Sequence, residues 1–184
     1  MRKLNAYNFL TLNGFYKGLH EDISWHRHGS EEEEYSKEAM QSQNTLLFGR
    51  VTYEMMKSFW PTEEAKKAMP DVAAGMNNAE KIVVSGTLKS SDWENTSIIN
   101  GNLSEEIRQL KLQPGKDITI LGSGSIITQL AETKLIDSYQ FMIDPVAIGQ
   151  GTPAFNGLQN KLDLTLTNSK VFKSGVVLLT YQPL

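Results

Sequence analysis

The chain has 184 residues, 40% hydrophobic and 21% charged, which excludes a disordered chain and predicts one domain, 1–184, with a sizeable core. Its net charge is −3 and its 18 lysines and arginines are scattered, which argues against nucleic acid as a partner. There is no cysteine, so disulfides and thiolate metal sites are excluded and a reducing compartment fits. The apolar runs fall far short of the ~20 residues of a membrane span. The N-terminus, MRKLNAYNFL, lacks a signal peptide's apolar core. The expectation is a cytoplasmic protein with no membrane partner.

In chain order, Lys3–Asn13 partly alternates and predicts a first strand with Leu4, Ala6 and Phe9 inward, and Leu10 and Leu12 as further inward candidates. Asn13-Gly14 marks a turn. Leu19–Gly29 is a loop holding all three histidines and one tryptophan. Ser30 followed by Glu33 has capping-box spacing, and Glu31–Glu34 put negative charge on the positive end of a helix running to about Gln43. Asn44–Gly49 is a buried strand. Past Gly49-Arg50-Val51-Thr52, the spacing of Tyr53, Met56, Phe59 and Trp60 predicts a short helix, ended by Pro61. Thr62 caps a helix over Glu63–Met76 that Pro70 interrupts.

Lys81–Ser85 is a third buried strand, followed by Gly86-Thr87. Ser97–Ile99 reads as a short strand and Ser104–Leu112 as a helix with Leu103, Ile107 and Leu110 on one side. Ile118–Leu121 is a β-branched, buried strand that breaks at Gly122-Ser123-Gly124-Ser125 and resumes with the helical spacing Ile126, Ile127, Leu130. Beyond Leu135 come an alternating stretch, Asp137–Ile143, a glycine-rich loop from Ala147 to Gly157, and a hairpin of Leu162–Phe172 with Val176–Tyr181 about Lys173-Ser174-Gly175. The first two-thirds predict strand–helix units of a parallel sheet, the last third antiparallel additions to its edge.

Three buried strands therefore exit through glycine-bearing junctions: Gly49-Arg50, Ser85-Gly86-Thr87 and Gly122-Ser123-Gly124. Free backbone N–H groups at a helix start, backed by the helix dipole, bind phosphate, and small residues admit a ligand to the backbone. In an open α/β sheet, ligands lie outside the carboxyl ends of the strands. Ile127 stands where a dinucleotide fingerprint needs its third glycine, so the last junction is not a Rossmann turn. Arg50 offers a planar, permanently charged fork for phosphate. His20, Glu21, Asp22, His26 and His28 show no fixed third metal ligand, so the expectation is no metal and a loop contacting a polar or phosphorylated substrate. Trp25 either stacks on a substrate ring or packs as a lid.

These residues resemble the dihydrofolate reductase-like fold, most closely the reductase domain of the bifunctional riboflavin-biosynthesis deaminase-reductase. The resemblance is carried by Leu12-Asn13-Gly14-Phe15, Leu47-Phe48-Gly49-Arg50-Val51-Thr52-Tyr53-Glu54, Val83-Val84-Ser85-Gly86-Thr87-Leu88, Leu121-Gly122-Ser123-Gly124, Leu135-Ile136-Asp137 and Pro145–Phe155. It implies a three-layer α/β/α domain with a mostly parallel central sheet and antiparallel C-terminal strands. It also implies NADPH binding, hydride transfer to a small pyrimidine- or pterin-like substrate, with 5-amino-6-(5-phosphoribosylamino)uracil of riboflavin biosynthesis as the candidate, and a homodimer. Gly49, Arg50 and Thr52 would then face the cofactor phosphates, Ser85 and Thr87 the adenosine ribose phosphate, and Gly122, Ser123, Gly124 and Ser125 the pyrophosphate and nicotinamide.

Gly86 replaces an arginine found in many relatives, which leaves NADH beside NADPH. Asn13, with Trp25 and His26, is a substrate-side candidate, and Asn13 replaces an aspartate of many relatives. The catalytic acid is unassigned. By spacing from Trp25 the nearest acids are Glu31, Glu32 and Glu34, with Glu31 and Glu34 the candidates. The other reading of the same cradle is a nucleotide-binding sensor or regulatory module without turnover.

Overall fold

Alternation builds the first strand, β1 (Leu4–Thr11). In the computed structural model, which describes all 184 residues, Leu4, Ala6, Asn8 and Leu10 turn to one side of the sheet and Asn5, Tyr7 and Phe9 to the other. Phe9 thus opposes the side taken by Leu4 and Ala6, and Leu12, expected inward, is 71% exposed in the turn beyond the strand. The chain continues through β2 (Phe15–Lys17), α1 (Ser30–Gln41), β3 (Thr45–Gly49), α2 (Arg50–Phe59), α3 (Glu63–Ala68), α4 (Pro70–Asn78), β4 (Lys81–Val84) and β5 (Thr96–Ile99). There follow α5 (Leu103–Leu112), β6 (Ile118–Leu121), α6 (Gly124–Glu132), β7 (Ser138–Asp144), β8 (Thr152–Pro153), β9 (Leu164–Val171) and β10 (Val177–Pro183).

Eight strands form one sheet in the order β5-β4-β3-β6-β1-β7-β10-β9, and β2 pairs with β8 in a separate ribbon. Strand β6 is inserted between β1 and β3, parallel to both. β7 also runs parallel to β1, so the antiparallel region begins at β10 and not directly after Leu135. The alternation of Asp137–Ile143 is read correctly as a strand, but alternation does not encode the direction of the neighbour.

Pleating divides the core. On one side Leu4, Ala6, Leu47, Ile118 and Ile120 pack under Ile107 of α5 and Ile126, Ile127 and Leu130 of α6. Burying each of these branched side chains contributes about 1.5–3 kcal/mol. The other side carries two separate clusters. Leu46, Phe48 and Val83 pack with Tyr53 of α2 and Val72 and Met76 of α4. Met142, Phe172, Val176 and Leu178 pack with Tyr7, Phe9 and Tyr35. The gap between those clusters holds the cleft described below.

Local chemistry sets the helix ends. Gly29, not Ser30, is the N-cap of α1, and no side chain caps it. Ser30 is already helical, and Glu31 and Glu32 reach instead to Lys173 and Ser174 of the β9–β10 hairpin. Thr62 caps α3 through Ala65 N–H at 3.2 Å, and Pro70, lacking a donor, starts a second helix. Asn102 caps α5. Lys81 is completely buried, its ammonium donating to the carbonyls of Met76, Asn77 and Ala79 at 2.7–3.0 Å and lying 4.6 Å from the centre of the Trp93 ring. It closes the carboxyl end of α4, which no glycine does.

Candidate active site

Because β4, β3 and β6 are parallel neighbours, their carboxyl ends bring Ser85-Gly86-Thr87, Gly49-Arg50 and Gly122-Ser123-Gly124 side by side. The Gly49 N–H donates to the Ser123 hydroxyl at 2.9 Å, tying two junctions together. Gly122 (φ 64°) and Ser123 (φ 55°) are successive left-handed residues that swing β6 into α6. Such a backbone is unfavourable for serine, and the bond from Gly49 helps to hold it.

A Cβ on Gly122 would lie 3.2 Å from Thr52, and one on Gly124 2.6 Å from the Tyr16 ring. The glycines thus serve close internal packing, and Tyr16 of β2 rests on Gly124. Ser85 Oγ accepts the N–H groups of Thr87 and Leu88 at 3.2 and 2.9 Å, closing the third junction as a turn. Thr87 and Ser125 are exposed, and Gly86 has open space around it. Arg50 opens α2 at the rim, its guanidinium on Glu54 at 2.8 Å.

Between the two clusters lies a cleft of about 1690 Å³. Tyr7, Leu121 and Met142 form part of its floor, Glu32 and Tyr35 of α1 one wall, and Val51 and Met55 of α2 the other. Thr52, Gly122 and Ser123 join it to the junctions, and Tyr16, Lys17 and His26 also line it. Burial, reinforced by the nearby Tyr35, Asp144 and Glu32, pushes the Tyr7 hydroxyl well above its ordinary pKa, so it remains a donor, here to Met142 Sδ at 3.1 Å.

His26 is buried with its ring stacked on Phe9, centroids 3.6 Å apart, and its Nδ1 bonded to Asp144 Oδ2 at 2.7 Å. The other oxygen of Asp144 accepts Arg27 N–H at 2.8 Å. A carboxylate on Nδ1 fixes the proton there and leaves Nε2 as the working nitrogen. Nε2 has no partner within the chain, and the residue lines the cleft. Desolvation and the adjacent His26 hold His28 below the usual histidine range. No three His, Asp or Glu side chains are placed to hold a metal ion.

Of the residues expected on the substrate side, His26 lines the cleft and Trp25 and Asn13 do not. Asn13 binds the backbone of Ile148 through both ends of its amide, at 2.8 and 3.2 Å, and so fastens the loop after β7. Trp25 donates its indole N–H to Asp22 O and sets its edge against His26. Glu31 is engaged by the N–H and ammonium of Lys173, which lower its pKa, and Glu34 is exposed; neither lines the cleft.

Three other acids of α1 do line the cleft, Glu32, Glu33 and Glu38, and of these only Glu32 is buried, 4% exposed, with the Ser174 hydroxyl as hydrogen-bond partner of one oxygen and none for the other. Asp144 was not legible as a site residue. Its only local signal is a carboxylate ending a buried strand before Pro145.

A parallel sheet with a late strand inserted beside β1, glycine junctions along its carboxyl edge and a cleft below them defines the dihydrofolate reductase-like class of α/β fold. The chain belongs to the RibD C-terminal domain family, which matches residues 2–178. It is 30% identical over 173 residues to the uncharacterized protein YyaP of Bacillus subtilis (strain 168), covering 94% of this chain and 90% of that one. It is 26% identical over 179 residues to the uncharacterized protein YwjB of the same organism, covering 96% of each.

Among solved structures, a protein of Shewanella sp. PV-4 named for riboflavin biosynthesis superposes with a TM-score of 0.77 at 19% identity, over 99% of both chains. The Thermotoga maritima diaminohydroxyphosphoribosylaminopyrimidine deaminase/5-amino-6-(5-phosphoribosylamino)uracil reductase gives 0.71 at 14% identity, this chain covering 57% of it. Both share the fold.

Proposed function

We propose that the chain is an NADPH-dependent reductase that delivers hydride to a small pyrimidine- or pterin-like heterocycle. The supporting observation is the position of the three glycine junctions side by side on the sheet edge, with Gly122, Ser123 and Thr52 reaching into a cleft that contains a carboxylate-oriented histidine. The cradle suits a dinucleotide: two helices start at its rim, and the space at Gly86 is open. Gly49, Arg50 and Thr52 would hold the cofactor phosphates, Ser85 and Thr87 the adenosine end, and Gly122, Ser123, Gly124 and Ser125 the pyrophosphate and nicotinamide end. A bound nicotinamide supplies the hydride. The chain supplies position, a floor at Tyr7 and Met142, and a route for the proton of the reduced ring: His26 Nε2 takes it from solvent, forming an imidazolium whose Nδ1–H stays on Asp144, and passes it on.

Asp144 keeps that imidazole in one tautomer. The edge strand β9, exposed along most of its length, supports a homodimer through the C-terminal strands. Nicotinamide fluorescence quenching titrated with NADPH and NADH, followed by NADPH oxidation on addition of pterins and aminopyrimidines, tests the reading. Absence of binding of either nucleotide rejects it. Binding without oxidation by any candidate ring favours a sensor without turnover, a reading supported by the missing cation at Gly86.

A further inference from the structure

Taking the cleft as the substrate site of that reductase, we infer that its substrate is an unphosphorylated heterocycle, neutral or positively charged. No guanidinium lines the cleft, and its one ammonium is paired with a carboxylate. Lys17 is the only lysine or arginine among its lining residues, and both oxygens of Glu21 hold its ammonium, at 2.6 and 2.7 Å. Glu32 and Glu33 line it at the start of α1, beside His26 and His28, and Glu38 and Glu80 line it farther on, toward the amino end of β4.

The two arginines nearest in sequence to these walls are engaged elsewhere. Arg27 donates to Ser174 O at 2.9 Å and Arg50 to Glu54 at 2.8 Å, and neither lines the cleft. The start of α1, whose backbone would otherwise attract an anion, carries Glu31, Glu32 and Glu33 in its first turn. A phosphate dianion is bound by guanidinium or ammonium groups and by uncompensated helix starts. The cofactor junctions have an arginine and two helix starts, whereas the substrate cleft has carboxylates.

Two polar groups, each more than nine-tenths buried, keep an atom without a partner and line this space: Glu32 through one carboxylate oxygen and His26 through Nε2. Glu32 forms no ion pair, so its second carboxylate oxygen is left to accept from a ligand. The N–H groups of an amino-substituted ring, or a ring cation, satisfy it, and a phosphate repels it. Tyr7, Tyr35, Met55 and Met142 supply flat, polarizable surfaces for such a ring. A phosphoribosyl arm finds no complement here, which separates this site from a phosphoribosylaminouracil reductase.

The test is calorimetric binding to the whole NADPH-saturated protein of two probes differing only in the phosphate group, 5-amino-6-ribitylaminouracil and its 5′-phosphate, with 2,4,6-triaminopyrimidine as a cationic ring. The unphosphorylated member binds at least about tenfold more tightly than its phosphate, since like charges are brought together in the latter. Glu33→Lys, at an exposed position of the lining, narrows that gap at least about threefold at low ionic strength and restores it as salt screens the new charge. Glu32→Gln weakens triaminopyrimidine about tenfold or more while NADPH affinity is unchanged. Equal or tighter binding of the phosphate overturns the inference, as does failure of both unphosphorylated rings to bind. Loss of NADPH binding, measured separately, bears on the reductase reading instead.

Discussion

Asp144 and His26 meet at 2.7 Å across 118 positions of sequence, both side chains withdrawn from solvent, with the imidazole further clamped against Phe9. The carboxylate ends β7 beside Thr11 of β1, so the sheet itself sets where the imidazole stands. This joins a rigid strand end to a histidine of the Leu19–Gly29 loop. An imidazole held in this way takes up and releases a proton at Nε2.

His26→Gln is expected to lower kcat for NADPH oxidation about a hundredfold, the scale of a lost general acid, with NADPH affinity unchanged. Asp144→Asn keeps the hydrogen-bond geometry but presents an N–H to Nδ1, moving the imidazole proton to Nε2. It should alter the pH dependence of kcat while circular dichroism stays native. Full activity of both variants rules out the proton role.

Gly86 has ordinary backbone geometry and nothing within 4 Å of its missing Cβ, so a large side chain fits there without displacing any neighbour. Gly86→Arg should tighten NADPH about tenfold, a hydrogen bond to a charged group contributing about 1.5–3 kcal/mol. NADH should bind as before. Fluorescence titration with both nucleotides reads the difference, and an equal gain for NADH would place position 86 away from the 2′-phosphate.

Arg50 already has a partner in Glu54 one helical turn on. Arg50→Ala should weaken NADPH by about 1.5–3 kcal/mol. Glu54→Gln, which releases the guanidinium, should strengthen it by a few tenths of a kcal/mol, as for an exposed pair. The opposite signs of the two effects distinguish a phosphate contact from a helix-stabilising ion pair. An ion pair alone loses stability in both variants and affinity in neither.

Lys81→Met should destabilise the fold by about 2–4 kcal/mol in urea unfolding, because buried carbonyls at the end of α4 lose their donor. Burial lowers the ammonium from 10.5 to about 8, so between those values the unfolded chain binds more protons at this site than the native one. The Lys81 contribution to stability therefore rises with pH across that window. The native protein minus the Lys81→Met variant should show this positive slope, and a flat difference would exclude the shift.

The strand exits were legible in the sequence because each is a local event: β-branched residues, a glycine, then helical spacing. Pro70 and Thr62 likewise state their roles within a few residues. Glu32 was not separable from Glu31 and Glu34, since consecutive glutamates differ only in the face they present, and docking of α1 against the β9–β10 hairpin decides that. The pairing of His26 with Asp144 depends on β7 lying against β1, which alternation alone does not reveal. Asn13, a substrate-side candidate by its place after the first strand, has its amide occupied by Ile148, a contact made across 135 positions.

Tyr16 lies on Gly124, and its strand is gripped by β8, where Gly151 passes so close that a Cβ would stand 2.2 Å from the Lys17 carbonyl oxygen. On the proposed assignment, the nicotinamide end of the cofactor and the phenol ring compete for one surface. Association then has two stages, a fast encounter at the phosphate junctions and a slower exchange of phenol for nicotinamide. The observed rate of fluorescence quenching should level off as NADPH is raised, and Tyr16→Ala should return it to a straight line. On that assignment, a ring that must give way before each nicotinamide can seat makes the pace of cofactor exchange a property of the β2–β8 ribbon.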